Sequence, residues 1–336
     1  MNDRYRPLEA GYWKGRVDSE ENFDAYRWHQ WIKPLDLNQE TAKYRGELGF
    51  AFVGFCCDEG VRRNKGRVGA SKGPEAIRKE MGNFPCCFNQ EVKLFDVGNI
   101  VCEDENLEET QEALGQVVEK ILSLNLFPIV LGGGHEVALG HYLGLKSSLK
   151  KEKGKEMNLG IINFDAHFDI RPYKDRGSSG TMFRQIADIC QAEDLEYSYM
   201  CLGVQLHSNT RELFKTAEKL NVPYILARDI THRDDYMIME DIHEFIKSKE
   251  HIQITICSDV FSSAFAPGVS ATQSLGLEPE KVLKLIKYIL RTKKAIGFDI
   301  AEVSPRFDQD NNTANLAAVI IFSVINTLAR VYDVEF

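Results

Sequence analysis

The chain has 336 residues, enough to bury a sizeable core as one large domain or two ordinary ones. Hydrophobic residues make up 43% and charged residues 27%, the balance of an ordinary globular protein. A formal net charge of -9 argues against a surface built to neutralise nucleic-acid phosphates.

Taken in chain order, the first 45 residues are polar and tryptophan-rich ("GYW", "YRWHQW"). They hold no apolar signal core and have no evident place in a sheet. Short apolar runs then alternate with longer helical patterns. Strands are expected at 50–55 (FAFVGF), 92–97 (VKLFDV), 126–131 (LFPIVL), 159–164 (LGIINF), 199–204 (YMCLGV), 223–227 (PYILA), 252–257 (IQITIC) and 295–300 (AIGFDI). Helical stretches lie between them at 105–124, 136–149, 209–220, 235–248 and 279–291. In the last, Val282, Ile286 and Ile289 share one face. The apolar stretch 316–331 is interrupted by Ser323, Asn326 and Thr327 and is shorter than the roughly 20 residues of a membrane span, so it reads as a buried amphipathic helix.

This alternation predicts right-handed βαβ units: an α/β protein whose single three-layer αβα domain holds a mostly parallel sheet of about eight strands. With no composition break, residues 46–336 form that domain and residues 1–45 an N-terminal extension packing on it. Eight cysteines, two adjacent pairs among them and no CxxC, read as small buried hydrophobes of a cytoplasmic protein.

Sites in such sheets form beyond the carboxyl ends of the strands, and four strand ends carry chemistry. "PIVLGGGHE" delivers His135, and "NFDAHFD" delivers Asp165, His167 and Asp169 at alternate positions. "TICSDV" delivers Cys257 and Asp259, and "GFDIAEVSP" delivers Asp299 and Glu302. Taken singly, each has a plain explanation as a glycine turn, a helix cap or a turn residue. "GGGHE" is neither GxGxxG nor a P-loop, and no stretch matches HExxH. Taken together, the carboxylates end runs that must be buried, where unpaired charge costs several kcal/mol. Divalent metal, with manganese favoured over zinc by a carboxylate-rich donor set, compensates them; so many ligands suit a pair of ions roughly 3.5–4 Å apart.

"GGGHE", "DAHFD", "SDVFSSAFAPG" and "FDIAEVSP", in this order, resemble the ureohydrolase (arginase/agmatinase) family from about Gly49 onward. Within it, residues 58–78, "SSGTMF" (178–183) and "GVQLHSNT" (203–210) are most similar to formimidoylglutamases. The resemblance implies an arginase-like fold, a homo-oligomer, and two Mn2+ ions. The implied reaction is hydrolysis of N-formimidoyl-L-glutamate to L-glutamate and formamide, in histidine degradation. By that resemblance His135, Asp165, His167, Asp169 and Asp259 are metal ligands, and Cys257 occupies the place of the family's bridging carboxylate. A thiolate there is softer and leaves room for a single ion or another divalent metal.

The same resemblance makes Glu302 a substrate-facing carboxylate, with Asp169 a second candidate for proton transfer. Arg171, Arg67 and Arg63, with Asn209, are candidates for gripping the substrate's carboxylates. Arg62 and Arg211 are further cations in reach of the same loops. Phe183 stands where arginases carry a histidine, which counts against arginine as substrate. Two other readings stay open: another ureohydrolase such as an agmatinase or guanidino-acid hydrolase, and a non-catalytic member whose metal pair is lost through Cys257. No nucleic-acid or membrane partner is expected.

Overall fold

The computed structural model describes residues 1–9, 11–151 and 158–336. Two short strands of the N-terminal lead, β1 (Tyr5–Arg6) and β2 (Lys33–Pro34), come first. The eight apolar runs follow as β3 (Leu48–Cys56), β4 (Val92–Val101), β5 (Phe127–Leu131), β6 (Leu159–Phe164), β7 (Tyr199–Val204), β8 (Tyr224–Leu226), β9 (His251–Cys257) and β10 (Ala295–Ala301). They lie in the order β4-β3-β5-β10-β9-β6-β7-β8, and each neighbouring pair is parallel. Side chains alternate between two buried faces: Phe50 and Phe52 of β3 enter one core, while Ala51, Val53 and Phe55 enter the other.

Eleven helices of the described residues complete the three layers. They are α1 (Trp28–Trp31), α2 (Glu59–Arg63), α3 (Gly73–Met81), α4 (Leu107–Ser123), α5 (Val137–Lys151), α6 (Met182–Ala192), α7 (Arg211–Lys219), α8 (Ala227–His232), α9 (Asp235–Lys247), α10 (Pro279–Arg291) and α11 (Asn312–Val331). Ile77, Ile242, Ile286 and Ile321 from α3, α9, α10 and α11 fill the core on one face of the sheet. Val117, Leu145, Ile186 and Leu213 from α4, α5, α6 and α7 fill the other. Helices α3 and α6 were not among the stretches read from sequence. Four charged residues within the nine of α3 mask its apolar face, which Ile77 and Met81 form.

Helix α11 begins at Asn312, ahead of the apolar stretch, and its 20 residues make it long and apolar enough to cross a membrane. It packs against α3 and α10, and 56% of its apolar window is buried inside the fold, which makes it a core helix here.

The N-terminal lead does have a place in the sheet: β1 pairs antiparallel with β4, and β2 pairs parallel with it. The strand expected over 92–97 continues as β4 to Val101. Gly98 has φ 98°, and a Cβ there would meet the Arg6 carbonyl at 2.1 Å, so glycine allows β1 to approach. Trp28 is fully buried against Phe52, Phe84 and Phe322, with ring centroids 6.1, 5.6 and 5.8 Å away. The Trp13 indole N–H donates to Asp96 Oδ2 at 3.0 Å, the carboxylate that the buried Arg78 grips at 2.7 and 2.9 Å.

The lead is thus a source of core, not a loose tail. Trp28→Ala is expected to cost about 3–5 kcal/mol of unfolding free energy, measurable as a lowered urea midpoint at unchanged slope.

Candidate active site

Strands β5, β10, β9 and β6 are neighbours at the centre of the sheet, and each runs at its carboxyl end into one of the four motifs. The chain builds β5 and β6 first and inserts β9 and β10 between them, which brings the distant motifs together. The His135 backbone N–H donates to Glu302 Oε1 at 3.0 Å across 167 residues, and the Glu302 N–H donates to the Gly133 carbonyl at 2.8 Å. A Cβ on Gly133 would lie 1.8 Å from the Cys57 carbonyl oxygen, so only glycine lets the turn before His135 pass the end of β3.

His135 Nδ1 lies 2.9 Å from Asp165 Oδ2 and 3.1 Å from Asp169 Oδ2. His167 Nδ1 lies 3.3 Å from Asp165 Oδ1 and 3.2 Å from Asp259 Oδ2. Two sets of potential ligand atoms result, each within 4.8 Å: His135, Asp165 and Cys257, and Asp165, His167 and Asp259. Asp165 belongs to both, one oxygen facing each histidine. Asp169 and Glu302 adopt left-handed backbone, with φ 51° and 64°. For a glutamate this conformation is strained, and it is held here by the two hydrogen bonds to the β5 turn.

The electrostatics show what the geometry lacks. Burial, then the charge of Asp165, pushes the Asp169 and Asp259 carboxyls above the usual carboxylate range. Burial and the nearby Glu136 do the same to Glu302, and burial with Asp165 raises the Cys257 thiol. Burial also opposes ionisation of Asp165, but hydrogen bonds from His135 and His167 outweigh it and hold that carboxyl well below its usual range. Burial disfavours the charged forms of both histidines, yet their carboxylate neighbours raise them well above an ordinary histidine. Among the described residues no lysine or arginine pairs with Asp165, Asp169, Asp259 or Glu302, and Asp259 Oδ1 and Glu302 Oε2 are buried without a hydrogen-bond partner. A donor set of carboxylates, imidazole and thiol with orphaned oxygens fits divalent cations.

With Asp165 beneath them, His135, His167, Asp169, Cys257, Asp259 and Glu302 floor a cavity of about 300 Å³, whose walls include Lys65, Arg67 and Arg171. The Arginase family's sequence pattern matches residues 48–326. The chain belongs to the arginase family. It is 65% identical over 330 residues to a formimidoylglutamase of Clostridium tetani, covering 98% of this chain and 97% of that one. Its fold is similar to that of formimidoylglutamase from Bacillus subtilis, with TM-score 0.77 at 24% identity and 96% of each chain covered. It is also similar to a Trypanosoma cruzi formiminoglutamase solved with Mn2+, with TM-score 0.73 at 24% identity, covering 85% of this chain and 95% of that one.

In this arginase-family chain the sequence-predicted residues divide. Arg171 reaches the cavity with its guanidinium in no ion pair among the described residues. Arg67 lines the cavity too, but its guanidinium is spent on the Ser270 and Val269 carbonyls and lies 4.2 Å over the Phe307 ring. Arg63 is turned away: it pairs with Glu59 and Glu108 and with the Glu105 and Gly177 carbonyls. Asn209 does not reach the cavity either. Its amide accepts from the Phe168 N–H and donates to the Ala166 and Gln205 carbonyls, pinning the loop that carries His167. Arg63 and Asn209, expected to grip the substrate, thus have their polar atoms engaged within the protein and lie outside the cavity lining.

Sequence reasoning missed Lys65, whose ammonium pairs with nothing described, and Ser179, both of which line the cavity. The signal for Lys65 was present in "RRNKGR", where the lysine sits at a left-handed turn (φ 61°) that aims it differently from its arginine neighbours. Phe183 packs edge-on to His135 at 5.7 Å and stacks on Tyr199 at 4.2 Å, giving the site an apolar back wall.

Because Asp165 serves both ligand sets, Asp165→Asn is expected to cut divalent-metal affinity at both. The loss should exceed the roughly 10–100-fold of an outer-shell change, read as metal content after dialysis against a weak chelator.

Proposed function

We infer that the chain is a hydrolase of linear amidines that converts N-formimidoyl-L-glutamate to L-glutamate and formamide, a step of histidine breakdown. The full-length likeness to the Clostridium tetani formimidoylglutamase carries the reading, and the cavity suits that substrate at both ends. The substrate bears a cationic amidine and two carboxylates. The acidic floor faces the first, and Lys65 and Arg171, the two wall cations whose charged groups have no partner among the described residues, face the second. A guanidino-amine such as agmatine is cationic at both ends, so Lys65 and Arg171 disfavour it.

His135, Asp165, Asp169 and Cys257 would hold one divalent ion, and Asp165, His167 and Asp259 a second. The Mn2+ of the Trypanosoma enzyme supports manganese as the metal. Bound there, such ions supply Lewis acidity and a water of lowered pKa. Glu302, one oxygen held by the His135 N–H and the other unpartnered, pairs with the amidine nitrogens and orients the carbon for attack. Water adds to that carbon, the bond to the glutamate nitrogen breaks, and this nitrogen leaves with a proton that Asp169, on the cavity floor, is placed to hand over. Formamide remains. The same reading makes residues 1–45 an extension clasped to a catalytic unit of residues 46–336, in a cytoplasmic homo-oligomer.

The test is formamide release from N-formimidoyl-L-glutamate by the manganese-loaded protein. Absence of turnover in the loaded protein overturns the reading. Lys65→Met and Arg171→Met are each expected to raise KM about 10-fold, the worth of one charge-assisted contact, with kcat within a few-fold. Cys257→Asp is expected to shift the ratio of manganese to zinc affinity toward manganese, because a hard carboxylate replaces a soft thiolate; competition between the two metals measures it.

A further inference from the structure

Strand β9 lies between β10 and β6, buried on both faces, where parallel strands ordinarily read as continuous apolar runs. Instead it alternates. Ile252, Ile254 and Ile256 enter one core, while Gln253, Thr255 and Cys257 occupy the opposite face. Gln253 and Thr255 are fully buried there, as are Asp299, the register partner of Thr255 on β10, and His141 of α5.

These groups are hydrogen-bonded in a definite direction. Asp299 Oδ2 lies 2.6 Å from His141 Nδ1 and accepts from Gln253 Nε2 at 3.3 Å, while Oδ1 accepts the Thr255 hydroxyl proton at 2.6 Å. A hydroxyl has one proton, and Thr255 has given it to Asp299. Thr255 Oγ1 therefore offers only a lone pair to His135 Nε2, 3.0 Å away. The line ends at His135, whose Nδ1 faces Asp165 and Asp169.

We propose that Thr255 and Asp299 are positioning residues for His135. The carboxylate orients the hydroxyl, the hydroxyl accepts the Nε2–H, and the imidazole is thereby held with the Nδ1 lone pair directed at the ion-binding cluster. His141 and Gln253 fix Asp299 in turn. Outer-shell hydrogen bonds of this kind set the tautomer and ring orientation of a metal-bound histidine. The role rests on the metal reading given under Proposed function, and it explains why four polar side chains are kept in the dry face between β9, β10 and α5.

The test measures zinc and manganese affinity of the metal-stripped full chain by competition with a chelator, for wild type, Thr255→Ser, Thr255→Val and Asp299→Asn. Circular dichroism and thermal midpoint report the fold. Thr255→Ser keeps the hydroxyl and is expected to bind like wild type. Thr255→Val, of similar shape, and Asp299→Asn, whose amide can return a proton to Thr255 and reverse the line, are expected to weaken one of the two ions by roughly 10–100-fold. In the zinc-loaded protein, nitrogen-15 NMR of histidine should show His135 protonated at Nε2 in wild type and Thr255→Ser.

Folded Thr255→Val binding both ions as wild type does, or a His135 without an Nε2 proton in the zinc-loaded wild type, overturns the positioning role. If Thr255→Val does not fold, Thr255→Ala against Thr255→Ser makes the same comparison. A wild type that takes up no divalent ion overturns the metal reading beneath it, a result distinct from equal binding by wild type and variant.

Discussion

Asp165 is fully buried at the end of a central strand, and each of its oxygens meets a different histidine. Much of the site follows from that single carboxylate. Beyond the effect of burial, its charge raises Asp169 and Asp259, and with Asp169 and Asp259 it raises both imidazoles above an ordinary histidine. Around it the chain places acids, a thiol and two orphaned carboxylate oxygens, with no lysine or arginine pairing to them among the described residues. Protonation can relieve part of that charge, and divalent cations would relieve it while satisfying the orphaned oxygens, so the same constraint favours cation binding.

The sheet makes that concentration of charge geometrically available. Parallel strands point all their carboxyl ends to one edge, and inserting β9 and β10 between β5 and β6 lines up four such ends side by side. Support then comes from both faces. Asn209 and Tyr199 hold the backbone of the loop after β6, Phe183 walls off His135, and the line from Thr255 to Asp299 and His141 lies beneath it. None of these supports lines the cavity; they act on it through the residues they hold.

Charge is sorted across the cavity. Acids lie on its floor, and at its wall Arg67 is consumed by carbonyls while Lys65 and Arg171 stay unpaired among the described residues. A ligand with a cationic head and an anionic tail matches that polarity, and one cationic at both ends does not. In the ligand role proposed for Cys257, its softer sulfur bears on the choice of metal, while the cations of the opposite wall are unchanged by it.

By itself the sequence determined the strands, because runs of apolar residues bounded by turns need no partner to be recognised. The expected run 159–164 is β6, and 199–204 is β7. It also determined the ligand candidates, since a parallel sheet forces chemistry to strand ends and "DAHFD" alternates with the strand's own period. The strand order was decided only by tertiary structure, because a strand's local pattern carries no address for its neighbour. Which of the similar cations lines the cavity was decided there too: Arg63 is captured by Glu59 and by Glu108, 45 residues on, while Lys65 stands at the cavity wall. His141 and Asp299, 158 residues apart, look ordinary in the chain and become partners only because α5 lies over β10. Local propensity is written in neighbouring residues, but a buried hydrogen bond needs both of its ends in place, and packing alone supplies the second.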